Sequence, residues 1–129
     1  MDSMSKTGQY VSGRFYSSSK YEAKRRNIYF ADDITLDYLD QLLEEQSFKC
    51  FYSGLEIDAK TRGAVTASLD RRDSNLPYTR DNIQFVHKNV NFMKWTLPES
   101  LFLSTIINIY DNMKTSKFNQ EFNKYLDIK

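Results

Sequence analysis

Apolar positions along the chain change period several times, and each change marks an element. From Thr35 to Gln46, "TLDYLDQLLEEQ" places Leu36, Leu39, Leu42 and Leu43 at helical spacing. Thr35 is a capping residue and Asp37 an acid in the first turn, so the spacing predicts a helix over Leu36 to Gln46. Its leucine stripe is core and its acidic face points outward. Upstream, a weaker helix is expected from about Ser17 to Asn27, with Lys24, Arg25 and Arg26 at its C-terminal end. Basic side chains there suit the helix dipole, and phosphate contact is the functional alternative.

The middle of the chain switches to strand character. "FKCFYSGLEI" is β-prone around a turn at Ser53-Gly54, and a strand is expected over Val65 to Asp70. The polar loop "RRDSNLPYTRD" follows, turned by Pro77. "NIQFVH" alternates as a second strand, Ile83 and Phe85 against Gln84 and Val86. "KNVNFMKW" resumes helical spacing, with Val90, Met93 and Trp95 inward. Thr96 to Glu99 forms a capping box with Pro98 in the first turn, ahead of a long apolar helix through Leu101, Leu103, Ile106, Ile107 and Tyr110. A final helix is expected over about Lys117 to Leu126, carrying Phe118, Phe122 and Tyr125. The order is helix, helix, strand–loop–strand, helix, helix, helix. It predicts an α+β fold with one small hairpin flanked by N- and C-terminal helices. Residues 1–10 are polar and expected to be loose, with a single domain over 11–129.

Composition narrows the class. A length of 129 residues suits one domain, and 15% aromatic content compensates for a hydrophobic fraction of only 40%. The single cysteine, Cys50, excludes an internal disulfide framework and a cysteine-based zinc cluster, and fits a reducing compartment. With no apolar run of spanning length and no apolar signal core in "MDSMSKTGQY", a cytoplasmic location is expected. Net charge is +1, but its distribution is uneven. Arg14 to Arg26 holds five basic residues against Glu22, and Asp32 to Glu45 holds six acids and no base. Lys60 to Lys94 holds seven basic residues against Asp70, Asp73 and Asp81. Such alternation suits a molecule with one face toward a polyanion, or an ordinary solvated surface.

Candidate chemistry concentrates between Ser68 and Lys94. A strand ends at Asp70, a loop of about ten residues returns the chain at Asn82, and a helix begins near His87 with Asn91 one turn in. Asp70 and Asn91 can face each other across that junction as a sparse, oxygen-only site of the kind Mg²⁺ takes. Asn82 can pin the loop through backbone hydrogen bonds. Taken singly, each has an ordinary reading: a turn acid, a loop Asx-turn residue and a helix-surface residue.

Together these residues resemble the HNH endonucleases, also called ββα-metal or His-Me finger nucleases, in their phage-type subgroup. "LDR" falls on that family's Asp-His step, "DNIQFV" on its Asn-Leu-Gln strand, and "HKNVNFMK" on its Cys-x-x-Cys-Asn-x-x-Lys helix start. "CFYSG" falls on its Cys-x-x-Cys-Gly knuckle. The motif core spans about residues 49–95. The resemblance implies a metal-dependent DNA endonuclease in which Asp70 and Asn91 bind one Mg²⁺ or Mn²⁺ and Asn82 shapes the loop.

Two departures stand out. The zinc positions read Cys50, Ser53, His87 and Val90, which is too few good ligands, so no structural zinc is expected. The family's base histidine is replaced by Arg71, whose guanidinium cannot accept a proton. Arg71 is then a phosphate contact or charge stabiliser, and the base is metal-bound hydroxide, His87, Asp73 or Tyr78. Double-stranded DNA is the expected partner, held by Arg71, Arg72, Arg80, Lys88 and Lys94, with Lys24, Arg25 and Arg26 as a second strip. Oligomeric state is open, a homodimer included. Two other classes compete: a catalytically silent HNH-fold DNA-binding protein, and a protein-binding inhibitor module.

Overall fold

The computed structural model describes residues 7–115 and 119–126. Its elements are α1 (Gly13–Arg25), α2 (Leu36–Glu45), β1 (Ala67–Arg71), β2 (Ile83–His87), α3 (Lys88–Lys94), α4 (Glu99–Thr115) and α5 (Asn119–Leu126). The chain is α+β, with one two-stranded antiparallel sheet among the described residues. It falls into two compact units, Met1–Thr96 and Leu97–Lys129.

In the first unit α2 follows its sequence closely. Thr35 caps it by accepting from the Tyr38 N–H, and Leu39 and Leu43 are buried. Burying each leucine is worth roughly 1.5–3 kcal/mol, which outweighs the modest helix propensity of so short a segment. The first helix begins earlier than its apolar pattern suggests. Ser12 caps it, accepting from the Phe15 N–H at 3.0 Å, and Gly13, Phe15 and Ala23 turn toward the core. Serine-rich stretches make poor helix interiors, which hid the first turn, while the cap supplies the missing signal.

Residues expected to be loose are fixed from Gly8 onward. The Asp40 carboxylate of α2 accepts from the backbone N–H groups of Gln9, Tyr10 and Val11 at 2.8, 3.0 and 2.8 Å. Val11 then bridges to Ala59. A side chain at position 8 would put its Cβ 2.5 Å from both Asp40 carboxylate oxygens, so glycine there lets the carboxylate keep its place on these amides.

Strands β1 and β2 pair from Ala67 opposite His87 to Arg71 opposite Ile83, one to two residues later than the alternation alone implies for the first strand. The expected outward-facing positions of the second strand do not exist: Ile83, Gln84, Phe85 and Val86 are all buried. One face of the hairpin meets the core, where Phe85 lies 5.7 Å from the Phe15 ring. The other face carries Ser68 and Asp70, which bond to α3. Gln46 ties α2 to β2 in strand-like fashion, its amide accepting from the Phe85 N–H at 2.8 Å and donating to the Phe85 carbonyl at 2.9 Å.

The expected inner face of α3 is corrected. Val90 packs on the core, but Met93 and Trp95 are 57% and 75% exposed. The inward place belongs to Lys94. In the second unit, α4 and α5 meet through Tyr110 and Phe122, ring centroids 5.6 Å apart. Much of the apolar stripe of α4 is exposed, including Leu101, Ile107 and Tyr110. Phe118 lies outside the described residues. No described helix is long and apolar enough to cross a membrane.

Candidate functional site

The junction of β1 with α3 is built from two polar rungs. Ser68 and Asp70 are two residues apart on β1 and so share a face. Asn91 and Lys94 are three apart on α3 and so share a side. Asn91 Nδ2 donates to Ser68 Oγ at 2.7 Å, and Lys94 Nζ donates to Asp70 Oδ1 at 3.3 Å. Asp70 and Asn91 thus stand on neighbouring rungs, each engaged with another side chain.

Asp70 is 4% exposed and Lys94 is 0% exposed. The Lys94 ammonium also donates to the carbonyls of Arg71 and Arg72, at 2.9 and 3.4 Å. Lys94 was expected among the DNA-facing cations; instead it is fully enclosed and serves as counter-charge for Asp70. Gln84, opposite Asp70 in the ladder, donates through Nε2 to Asp70 Oδ2 at 3.0 Å. Its Oε1 is a buried acceptor with no hydrogen-bond partner among the described residues. The expected return at Asn82 does not show this contact, because β1 runs on to Arg71 and the register sets Gln84 across from Asp70.

Asn82 organises the loop. Its Oδ1 accepts from the Asp73 N–H at 2.9 Å, and its Nδ2 donates to the carbonyls of Asp73, Leu76 and Pro77 at 3.0, 3.4 and 3.0 Å. Every hydrogen-bonding group of the amide is spent inside the loop, in a 7% exposed position. Arg71 works on the same loop. Its Nη1 donates to the Ser74 and Leu76 carbonyls at 2.7 and 2.9 Å, and its guanidinium lies 5.3 Å from the Tyr78 ring centroid.

Other candidates disperse. His87 caps α3, Nδ1 accepting from the Asn89 N–H at 3.1 Å. In the ladder it pairs with Ala67, three residues from Asp70 and on the opposite face, about 10 Å along the strand. Asp73 accepts from the Asn75 N–H at 2.9 Å and faces solvent. Arg80 binds the Asp33 carbonyl at 2.7 Å and stacks 4.2 Å from Tyr38. Arg72 lies over Phe51, and Arg25 pairs with Glu22 at 2.8 Å. Lys24, Arg26 and Lys88 are exposed.

Cys50, Ser53 and Gly54 close a tight turn. Ser53 N–H donates to Cys50 Sγ at 3.4 Å, and Gly54, at φ 72°, donates to the Cys50 carbonyl at 3.0 Å. Burial pushes the Cys50 thiol up, but hydrogen bonds from Ser53 and from the backbones of His87 and Tyr52 outweigh it, leaving the thiol below its usual range. Val90 packs on the core.

A groove of about 420 Å³ runs between α1 and β1. Ser68, Tyr78 and Asn91 line one wall; Arg14, Ser18 and Arg26 line the other. Arg14 belongs to the site only through this groove, and an isolated arginine in a serine-rich stretch offered no motif to find it. Glu22 also lines the groove, where the hydrogen bond from Arg25 holds its carboxyl below the usual range against some burial.

Asp70, Asn91 and Gln84 carry oxygens of the kind Mg²⁺ or Mn²⁺ takes, but Asp70 is 4% exposed and already holds the Lys94 ammonium, so a metal there would have to displace that contact. Among the described residues, no three His, Cys, Asp or Glu side chains converge as a metal cluster. Comparison with protein-family models, curated proteins and solved structures finds no match.

Proposed function

We propose that the chain is a metal-dependent, HNH-like endonuclease that hydrolyses DNA phosphodiester bonds in the groove between α1 and β1. The observation that carries this reading is the opening of Asn91 and Ser68, at the polar junction with Asp70, into a groove whose far wall bears Arg14 and Arg26. A phosphodiester backbone is the ligand such a wall attracts. Asp70 and Asn91 would hold one Mg²⁺ or Mn²⁺, which when bound supplies charge to a phosphoryl oxygen and acidifies water. Asn82 and Arg71 hold the loop that carries Tyr78. Of His87, Asp73 and Tyr78, Tyr78 is the one that lines the groove together with Asn91; Glu22 lines it too, paired with Arg25.

Supercoiled plasmid, incubated with the protein in Mg²⁺ or Mn²⁺, tests the activity. Nicking by wild type that is lost in Asn91→Ala supports it. Asn91→Ala is preferred to changes at Asp70, which would also strand Lys94.

A second reading, a silent DNA-binding protein on the same fold, draws on two observations. The arginine at the base position is committed to loop carbonyls, and Asp70 already has a cation in Lys94. Clean binding without nicking, together with nicking by Arg71→His alone, would select it.

A further inference from the structure

Helix α1 has a second working side. Positions 17, 20, 21 and 24 lie on the side of the helix next to the stripe of 14, 18, 22 and 26. They line another groove, of about 710 Å³, whose floor is the returning segment 27–30. Tyr21 and Tyr29 stand in it 64% and 61% exposed. Lys20 and Lys24 bracket Tyr21 one turn apart, and among the described residues no carboxylate lines this groove. We propose that it binds unpaired nucleobases of a single-stranded nucleic acid segment, stacked on Tyr21 and Tyr29 with the backbone held by Lys20 and Lys24.

The tyrosines are exposed but not loosely mounted. Asn27, at φ 57°, reverses the chain after α1, and the Ile28 N–H closes onto the Ala23 carbonyl at 2.8 Å. The Tyr29 carbonyl accepts from the Tyr78 N–H at 2.9 Å, and the Tyr78 carbonyl accepts from the Ala31 N–H at 2.9 Å. Tyr29 is therefore presented from backbone tied to the loop after β1. Two aromatic rings on fixed backbone, beside two ammonium groups, form a stacking shelf with a positive rail on the α1 side, while the far side of Tyr29 borders Asp32, Asp33 and Asp81. Every base has a π-face, so such a shelf grips single strands with little sequence preference, whereas paired bases hide their faces in the duplex stack. Lys20 also lies 5.2 Å from the Tyr16 ring, which keeps its charge beside the shelf.

This inference goes beyond the cleavage reading and stands apart from it, because no residue of the shelf lies in the groove that holds Asn91. The test is equilibrium binding of a fluorescein-labelled dT oligonucleotide and of a matched duplex, in EDTA so that cutting plays no part. Wild type should bind the single strand, and Tyr21→Ala and Tyr29→Ala should each weaken it at least about fivefold. The phenylalanine variants should keep near wild-type affinity, and duplex binding should change less than single-strand binding in every variant. Both positions are exposed, so unchanged melting temperatures will show that the variants fold. Failure of wild type to bind the oligonucleotide, or a double alanine variant that binds it as wild type does, overturns the proposal. Single-strand binding that survives in a protein unable to nick plasmid would leave the shelf standing and remove the nuclease reading.

Discussion

Lys94 and Asp70 form an ion pair enclosed on all sides, with Nζ 3.3 Å from Oδ1 and the lysine 0% exposed. A buried pair of this kind is costly to break because the surviving charge has nowhere to go. Lys94→Met should destabilise the first unit by about 3–5 kcal/mol, and Asp70→Leu by a similar amount. The double variant should recover much of the loss, since two apolar groups leave no stranded charge. Urea denaturation of the three variants measures this. Additive losses in the double variant would mean that the two groups do not share one interaction.

Asn82 spends its amide on loop backbone, so its replacement opens the loop from within. Asn82→Ala should cost about 2–3 kcal/mol through carbonyls and an N–H left without partners. Asn82→Asp should be at least as damaging, because a carboxylate oxygen would face the carbonyls of Asp73 and Pro77. Thermal melts of both variants, with hydrogen exchange at the Asp73 amide, read the two effects separately.

Arg71 is fastened to the Ser74 and Leu76 carbonyls, and Arg26 stands in the groove wall. Their substitution should therefore separate in DNA binding. Arg26→Ala should lower the slope of log K against log salt by about 1, while Arg71→Ala leaves the slope nearly unchanged. Arg71→Ala should instead lower stability by about 1–2 kcal/mol through the lost loop contacts. A salt titration of duplex affinity distinguishes the roles.

If Tyr78 serves as the base, Tyr78→Phe should lower nicking by about 10²–10⁴-fold while plasmid binding stays near wild type. Unchanged nicking in Tyr78→Phe would return the role to water on the metal, to His87 or to Asp73.

Asp58 accepts from the Lys60 and Thr61 N–H groups at 2.7 and 2.8 Å. Hydrogen bonds from Thr61, with a smaller one from Lys60, hold its carboxyl below the usual range against the effect of burial. Folding therefore favours the ionised form. The stabilisation is complete above the unfolded value near about pH 4 and disappears as pH falls through the lowered folded value. Melting curves of wild type and Asp58→Asn should differ at about pH 7 and converge once the pH lies below the lowered folded value.

Much of the fold could be read from local pattern. Thr35 and the leucines of α2 act within one helix, so cap and stripe were visible together. Pro77 and Asn82 announced the loop between the strands for the same reason. What escaped depends on contacts between distant segments. Lys94 looks like a solvent cation on any helical wheel, and only the third dimension puts Asp70 and two carbonyls around its ammonium. Arg71 matched a motif position, yet its partners lie three and five residues onward in a loop whose shape Asn82 sets. Met93 and Trp95 followed the apolar periodicity, but α3 is two turns long and its inward places were already taken by Val90 and Lys94.

The carboxylate of Asp40 makes residues 9–11 a tie between segments. It joins α2 to residues 9–11, and Val11 and Ser12 carry that connection on to Ala59, just ahead of β1. A chain trimmed to start at Gly8 keeps the whole tie. One trimmed to start at Ser12 leaves Asp40 without its three amides and a hole where Val11 was. Anyone shortening the protein for crystals or fusions has only a few residues to give away before the hairpin loses its anchor.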